Sequence, residues 1–263
     1  MSVGVSSQFN GVFDTGVPSF GARETTMGTT RWTGAGLLVL ALVLLVGTTF
    51  ADPGTEAGTA DAFSSEVVAV HDRVPLIVVA QAVQVSTVVV AALTGAGLFT
   101  LVRRSSPGLG LVGLLMLVLS GLVAALQGMV GMGMVTAAAE YAEGGLVSAG
   151  SEYLLGTVVV LSTLHWATWL LGWTLLGAAV AAFGYALSGG SDLTPRWLGR
   201  VALAAGGLLV LTPLMALLWP FFFVWALGFL TLLVWLLAAG IVVLARAPRV
   251  EAASSTAGHP GGT

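Results

Sequence analysis

Long apolar runs separated by short polar segments dominate this chain and predict six membrane-spanning helices. A membrane helix needs about 20 consecutive apolar residues to cross the hydrocarbon layer. The predicted spans are residues 32–50, 75–102, 109–135, 153–187, 195–219 and 221–245. The first run is longer than the apolar core of a signal peptide, which has about 7–15 residues, so we interpret it as a membrane helix. The predicted fold class is therefore all-α, a polytopic bundle of six transmembrane helices.

Two of these spans carry further signals. Residues 153–187 would form a helix longer than a hydrocarbon layer of about 30 Å, so this helix should tilt, kink or protrude. The fifth span begins with Thr194 as its expected N-cap and Pro195 at the first helical position, where the missing N–H costs nothing. Arg196, Trp197 and Arg200 follow and are predicted to anchor the membrane interface.

The segments outside the spans are polar. Residues 1–31 and 246–263 lack apolar periodicity and are predicted to be disordered, which leaves 32–245 as the transmembrane domain. In the acidic segment 52–73 and just beyond it, Phe63, Val67, Val70 and Val74 recur on one helical face. We expect a short amphipathic helix here, lying on the outer membrane surface before the second span.

The amino-acid composition supports a membrane protein. The chain is 57% hydrophobic and 8% charged, with a mean hydropathy of +0.99, whereas a soluble domain carries about 25% charged residues. Without cysteine, disulfides and thiolate chemistry are excluded. The net charge of -3 gives no reason to expect a nucleic-acid partner.

The arginines predict how the chain sits in the membrane. If the N-terminus is inside, eight of the nine arginines lie in inside segments, and only Arg73 lies outside. The eight are Arg23, Arg31, Arg103, Arg104, Arg196, Arg200, Arg246 and Arg249. Because arginine-rich loops stay cytoplasmic, we expect both termini inside and a multi-pass protein of the cytoplasmic (plasma) membrane.

A reporter protein fused after Val250 tests this orientation. We expect a reporter that works only in the cytoplasm to be active at this position. Activity of a reporter that works only after export would contradict the orientation.

A candidate polar cluster lies within the spans. His165 is the one ionisable side chain in an otherwise uncharged run, and such a residue at membrane depth is costly. We expect Gln84 at the same depth and Gln81 and Gln127 nearer the outer surface, with Ser162 on the same helical stripe as His165. The cluster has two interpretations. It could line a small cavity for a ligand or a proton path, or it could be interhelical packing in which hydrogen bonds contribute about 0.6 and at most roughly 2 kcal/mol.

No cofactor or metal is expected from the sequence. A haem held between helices needs two axial ligands at matched depth, and His71, His165 and His259 do not provide them. The three histidines also lack the spacing of a metal site. Tryptophans 166, 169 and 173 form a stripe that is typical of packing or lipid contact. The small residues Gly110/Gly113, Gly172/Gly177 and Ala181/Gly184 would permit close helix approach, either within the bundle or in a dimer.

Three stretches resemble a known family. They are "RWTGAGLLVLALVLLVG" opening the first span, "HDRVPLIVVAQAV" entering the second, and "GYALSGGSDLTPRWLG...AGG" joining the fourth and fifth. Together they extend from Arg31 to Gly207, and the last is the most specific. The chain resembles a group of uncharacterised prokaryotic integral-membrane proteins classified as a domain of unknown function. The resemblance implies six membrane helices and supplies no activity, cofactor or site residue.

The sequence thus favours a non-enzymatic membrane protein that acts in interaction, sensing or assembly. Its partners would be the lipid bilayer and a membrane protein or a second copy of itself. The alternative is a transporter of small molecules or lipids that uses a cavity around His165 and Gln84. An intramembrane enzyme is less favoured, because Ser162 and His165 lie on one helix without a third orienting group.

Overall fold

The structure, a computed structural model, describes residues 20–50, 74–144, 151–191, 193–218 and 220–256. These ranges contain six long helices and one short 3-10 helix, without a strand. The helices are α1 Phe20–Phe50, α2 Val74–Val102, α3 Pro107–Gly144, α4 Ser151–Leu187, α5 Arg196–Val210 and α6 Phe221–Thr256, with the 3-10 helix at Thr212–Ala216. Six segments, the fifth of which includes the 3-10 helix, are long and apolar enough to cross a membrane, as predicted.

Several helices extend beyond the predicted spans. α1 begins at Phe20 and α6 ends at Thr256, so parts of both predicted tails are helical. α3 continues to Gly144, beyond residue 135, at which its span was predicted to end. Apolar patterning marks where a helix leaves lipid, not where its hydrogen bonding ends, and this explains the difference. The amphipathic helix expected before the second span lies outside the described residues.

The six helices form a closed ring. Each helix packs against the next one along the chain, and α6 packs against α1. Small residues mark these contacts: Gly97 of α2 faces Thr33 of α1, and Gly240 of α6 faces Leu38 of α1. Gly110 of α3 likewise faces the end of α2. The helices alternate in direction around the ring, so both ends of the bundle are well defined.

One end of the ring carries the arginines whose side chains the structure describes, and we call it the arginine end. It comprises the start of α1, the α2–α3 turn, the α4–α5 connection and the C-terminal part of α6, with Arg31, Arg103, Arg104, Arg196, Arg200 and Arg246. The predicted interface anchors lie here, and Trp197 is half-exposed. The Arg196 Nε group donates a hydrogen bond to the carbonyl oxygen of Gly189 at 3.1 Å. The opposite end is called the distal end below.

α4 and α5 touch through their backbones. A methyl group placed on Gly206 would lie 2.5 Å from both the amide nitrogen of Ala181 and the carbonyl oxygen of Gly177. A methyl group on Gly184 would lie 2.5 Å from the amide nitrogen of Leu203. These small residues therefore serve the intramolecular bundle, one of the two possibilities that the sequence leaves open.

The start of α5 differs from the prediction by one residue. Pro195, and not Thr194, occupies the N-cap position, and no side chain caps the helix. Thr194 is used in the preceding turn, where its hydroxyl group lies 2.7 Å from the hydroxyl group of Ser191. The backbone N–H of Thr194 donates to the same Ser191 oxygen at 3.0 Å.

The end of α5 differs much more. The helix was predicted to run to residue 219, but it ends at Val210 and continues only as the 3-10 helix. Pro213 provides the reason, because its ring clashes with the carbonyl group four residues earlier and it has no N–H to donate. At about 1.5 Å per residue, the 15 residues of α5 reach about 22 Å, whereas the 37 residues of α4 reach about 55 Å.

The arginine half of the ring is solidly packed. Leu98, Phe183, Leu198 and Trp235 from four different helices are each at most 3% exposed. Gly113 allows this packing, because its missing side chain leaves room for the Phe183 ring. We refer to Leu98, Phe183 and Trp235 as the floor, since a cavity lies on their distal side.

Gly206→Ala should destabilise the protein because its new methyl group meets backbone atoms of α4, which cannot move aside. We expect a loss of about 1–3 kcal/mol, measured by reversible unfolding in mixed micelles. Gly207→Ala is the matched control: nothing lies within 4 Å of its methyl position, and the better helix propensity of alanine should leave stability unchanged or raise it by up to about 1 kcal/mol. Equal stability of the two variants would contradict the backbone contact.

Candidate functional site

A cavity lies inside the distal half of the ring. Its volume is about 530 Å³, and its wall comes from α1, α2, α3, α4, the 3-10 helix and the start of α6. α5 contributes no residue to the wall. The residues of α4 that line the cavity run from Ser162 to Leu176. The next residue toward the arginine end, Gly177, packs against Val210 at the end of α5. The cavity therefore begins where α5 stops.

The wall changes from apolar to polar along the depth of the cavity. Leu40, Leu117 and Leu176 line the end nearest the floor, and the distal part is lined by Gln84, Gln127, Ser162 and His165. Leu117 and Gln127 are ten residues apart on α3, which corresponds to about 15 Å. The cavity is thus about 15 Å deep, with hydrogen-bonding groups at one end and leucines at the other.

Four of the five residues in the predicted polar cluster line this cavity. Gln127 lies at the depth of His165: its Nε2 atom is 3.2 Å from the His165 Nε2 atom. This is deeper than the sequence indicated, since Gln127 was expected nearer the surface. Gln84 lies against Gly47 of α1. Gln81 does not line the cavity; it is fully buried between α2 and α3, against Gly131.

The hydrogen bond between Gln127 and His165 joins α3 to α4. An amide nitrogen can only donate, so with the amide oriented as in the structure, the Nε2 atom of His165 accepts and the imidazole proton is on Nδ1. Ser120, two turns nearer the arginine end, joins the same helices by donating to the Gly172 carbonyl oxygen at 3.0 Å. The two interpretations of the cluster are compatible in this arrangement, because the same groups join helices and face a cavity.

Aromatic rings close part of the side of the cavity beyond α5, up to the level of Trp169. The rings of Trp169 on α4 and Trp225 on α6 are 5.0 Å apart, and Trp225 stacks on Phe229 at 5.6 Å. Trp166 stacks on Trp169 at 5.0 Å. The sequence indicated the tryptophan stripe of α4 but missed its partner Trp225. The run of aromatic residues at the start of α6 was the available signal.

Two polar atoms in cavity-lining residues lack a hydrogen-bond partner. They are the Oε1 atom of Gln84 and the indole nitrogen of Trp225, and both are buried. A buried polar group without a partner costs about 1–3 kcal/mol. A bound molecule that reaches these atoms would recover that free energy, with a donor for Gln84 and an acceptor for Trp225.

The described residues offer few ligands to a metal. No group of three or more histidine, aspartate or glutamate side chains converges among them. His71 and His259 lie outside the described residues. The lining residues of the cavity include no aspartate, glutamate, lysine or arginine.

The ring of six apolar helices defines the chain as a multi-pass α-helical membrane protein. Within this class it belongs to the family described as "Domain of unknown function (DUF4386)", which matches residues 32–240. The match covers most of the ring and includes all residues that line the cavity. No curated protein and no solved structure matches the chain.

His165→Ala and Gln127→Ala should be coupled in a double-mutant cycle because they remove the two ends of one interhelical hydrogen bond. We expect a coupling free energy of about 0.6 kcal/mol, and at most about 1.7 kcal/mol, in unfolding measurements in bicelles. His165→Ala combined with Ser86→Ala is the control. Ser86 bonds to a carbonyl group of its own helix, so those two effects should add. Additive behaviour of the His165–Gln127 pair would show that the bond does not hold α3 and α4 together.

Proposed function

We propose that this protein is a non-enzymatic sensor or receptor that binds a small molecule in the cavity of the ring. The observation that carries the proposal is the cavity itself. Its volume of about 530 Å³ lies within the roughly 300–1,000 Å³ of small-molecule sites. Its wall is mainly apolar and has a few polar groups gathered at one end, which is the pattern of a site that holds and orients a ligand.

The packing below the cavity favours binding over transport. Between the cavity and the floor lies a void of only about 10 Å³, bounded by residues that include Leu98, Phe183 and Trp235. A cavity needs about 10–15 Å³ to hold one water molecule. A ligand in the cavity therefore has no path to the arginine end. A sensor requires such a closed site, because it must retain its ligand and not pass it across the membrane.

Transport is the second candidate, and one observation favours it. α5 is discontinuous beside the cavity, where Pro213 converts it into a 3-10 helix. Broken helices next to a binding site are typical of secondary transporters. Transport by this route would require the floor to open, with Phe183 and Trp235 separating.

The setting in the cell is part of the proposal. The arginine end would face the cytoplasm, since arginine-rich connections remain on that side, and the cavity would face the outside of the cytoplasmic membrane. A sensor in this orientation would receive its ligand from the outer side and report its state to a membrane-protein partner or a second copy of itself.

Leu117→Trp should abolish ligand binding because the larger side chain fills the deep end of the cavity. Leu117 is 3% exposed and lines the cavity, whereas Leu115, two residues earlier on α3, is 52% exposed on the outside of the ring. The measurement is native mass spectrometry of protein isolated in its own membrane lipids. We expect a bound mass on the wild type and on Leu115→Trp, and its loss from Leu117→Trp.

Unfolding temperatures of the two variants establish that both remain folded. The proposal fails if the wild type carries no bound molecule, or if Leu117→Trp keeps it.

A further inference from the structure

The early end of α5 leaves one face of α4 uncovered. Eighteen residues make about five full turns of an α-helix, so Thr163 lies directly above Ala181, and Trp166 lies above Gly184. Ala181 and Gly184 are covered by α5, since they contact Gly206 and Leu203. Thr163 and Trp166 have no such cover: both are exposed, Trp166 by 41%, and both line the cavity. The cavity is therefore accessible from the side only on the distal side of the Trp169–Trp225 ring contact, between α4 and the start of α6.

The surroundings of this side opening are apolar. Leu217, Leu218 and Phe223 follow the 3-10 helix and are 77%, 56% and 72% exposed. Counted from Leu187 at the arginine end, Gly177 lies at about 15 Å and Trp166 at about 31 Å. The opening therefore lies at the distal edge of a hydrocarbon layer about 30 Å thick, where acyl chains meet lipid headgroups.

The cavity wall changes from apolar to polar in the same direction as the bilayer outside it changes from hydrocarbon to headgroups. His165 lies about 33 Å from Leu187, at the level where hydrocarbon gives way to headgroups. Leu176 lies at about 16 Å, near the midplane. A molecule with a polar group and an apolar tail could pass from the distal leaflet into the cavity without turning over.

The size of the cavity and the absence of charged side chains from its wall limit the kinds of ligand that it can bind. Over a depth of about 15 Å, 530 Å³ corresponds to a channel about 7 Å wide. Carbon atoms in contact lie about 4 Å apart, so a hydrocarbon chain fits within this width. The wall offers no charged partner, and a charged headgroup would lose its hydration without compensation. The buried oxygen of Gln84 and the indole nitrogen of Trp225 would pair with a donor and an acceptor when their side chains turn toward the cavity, and a hydroxyl-bearing headgroup supplies both.

We propose that the ligand is an uncharged amphiphile with a hydroxyl-bearing headgroup. It enters sideways from the distal leaflet through the opening that α5 leaves between α4 and α6. This inference rests on the proposed function, to which it adds a ligand class and a route of entry.

Photolabelling in reconstituted vesicles tests the ligand class. The probe is a monoacylglycerol with a diazirine in its chain, compared with a lysophosphatidylglycerol that carries the same chain. We expect the neutral probe to label α3 and α4 peptides around Leu117 and Leu176 about a hundredfold more than the charged probe, since an unpaired charge is costly at membrane depth. Leu117→Trp should abolish this labelling, and Leu115→Trp should retain it.

Equal labelling by the two probes, or labelling that survives in Leu117→Trp, would overturn the ligand class. The proposed function has a separate readout. If the bound mass of the native protein still depends on Leu117 while the monoacylglycerol does not label the cavity, the cavity binds another class of molecule and only the present inference fails.

A matched pair of tryptophan variants on α4 tests the route. Thr163→Trp puts a large side chain in the opening, whereas Ala167→Trp puts one on an exposed position that does not line the cavity. We expect the initial rate of labelling by the monoacylglycerol probe to fall several-fold in Thr163→Trp and to stay at the wild-type value in Ala167→Trp. Equal initial rates in the two variants would exclude entry through this opening.

Discussion

The backbone contact between α4 and α5, and the point at which it stops, determines the shape of the whole ring. Gly177, Gly184 and Gly206 let the two helices approach until main-chain atoms touch, and this closes the arginine half. Pro213 prevents α5 from continuing as an α-helix, so the contact ends at Val210. Beyond that point α4 meets α6 through large aromatic rings. The packed half and the hollow half of the ring thus follow from the length of one helix.

This asymmetry gives the cavity its chemistry. The floor separates the cavity from the arginine end, so any ligand must come from the distal side. His165 and Gln127 lie near the level where the hydrocarbon layer ends, and a polar side chain is less costly there than at the midplane. Their hydrogen bond then serves two purposes, since it holds α3 against α4 and forms the polar end of the cavity.

The six spans could be predicted from the sequence because each depends on a local apolar run. Helix ends could not, since α3 carries Glu140 beyond the apolar run while its backbone stays helical. The order of helices around the ring could not be predicted either, because a repeated apolar pattern does not specify which helices are neighbours. Pro213 was a readable signal for the early end of α5, but the Trp219–Pro220 pair offered a more obvious turn. His165 and Gln127 were predicted as cluster members, but their contact depends on the register of α3 against α4.

An electron cryo-microscopy map of the protein in lipid nanodiscs would test the central claim most directly. The account predicts that α5 ends as an α-helix near Val210, that the ring is packed below Leu117 and Leu176, and that elongated density fills the space from these leucines to His165. A map in which α5 continues as an α-helix to the turn before α6, with side chains filling the distal half of the ring, would contradict it.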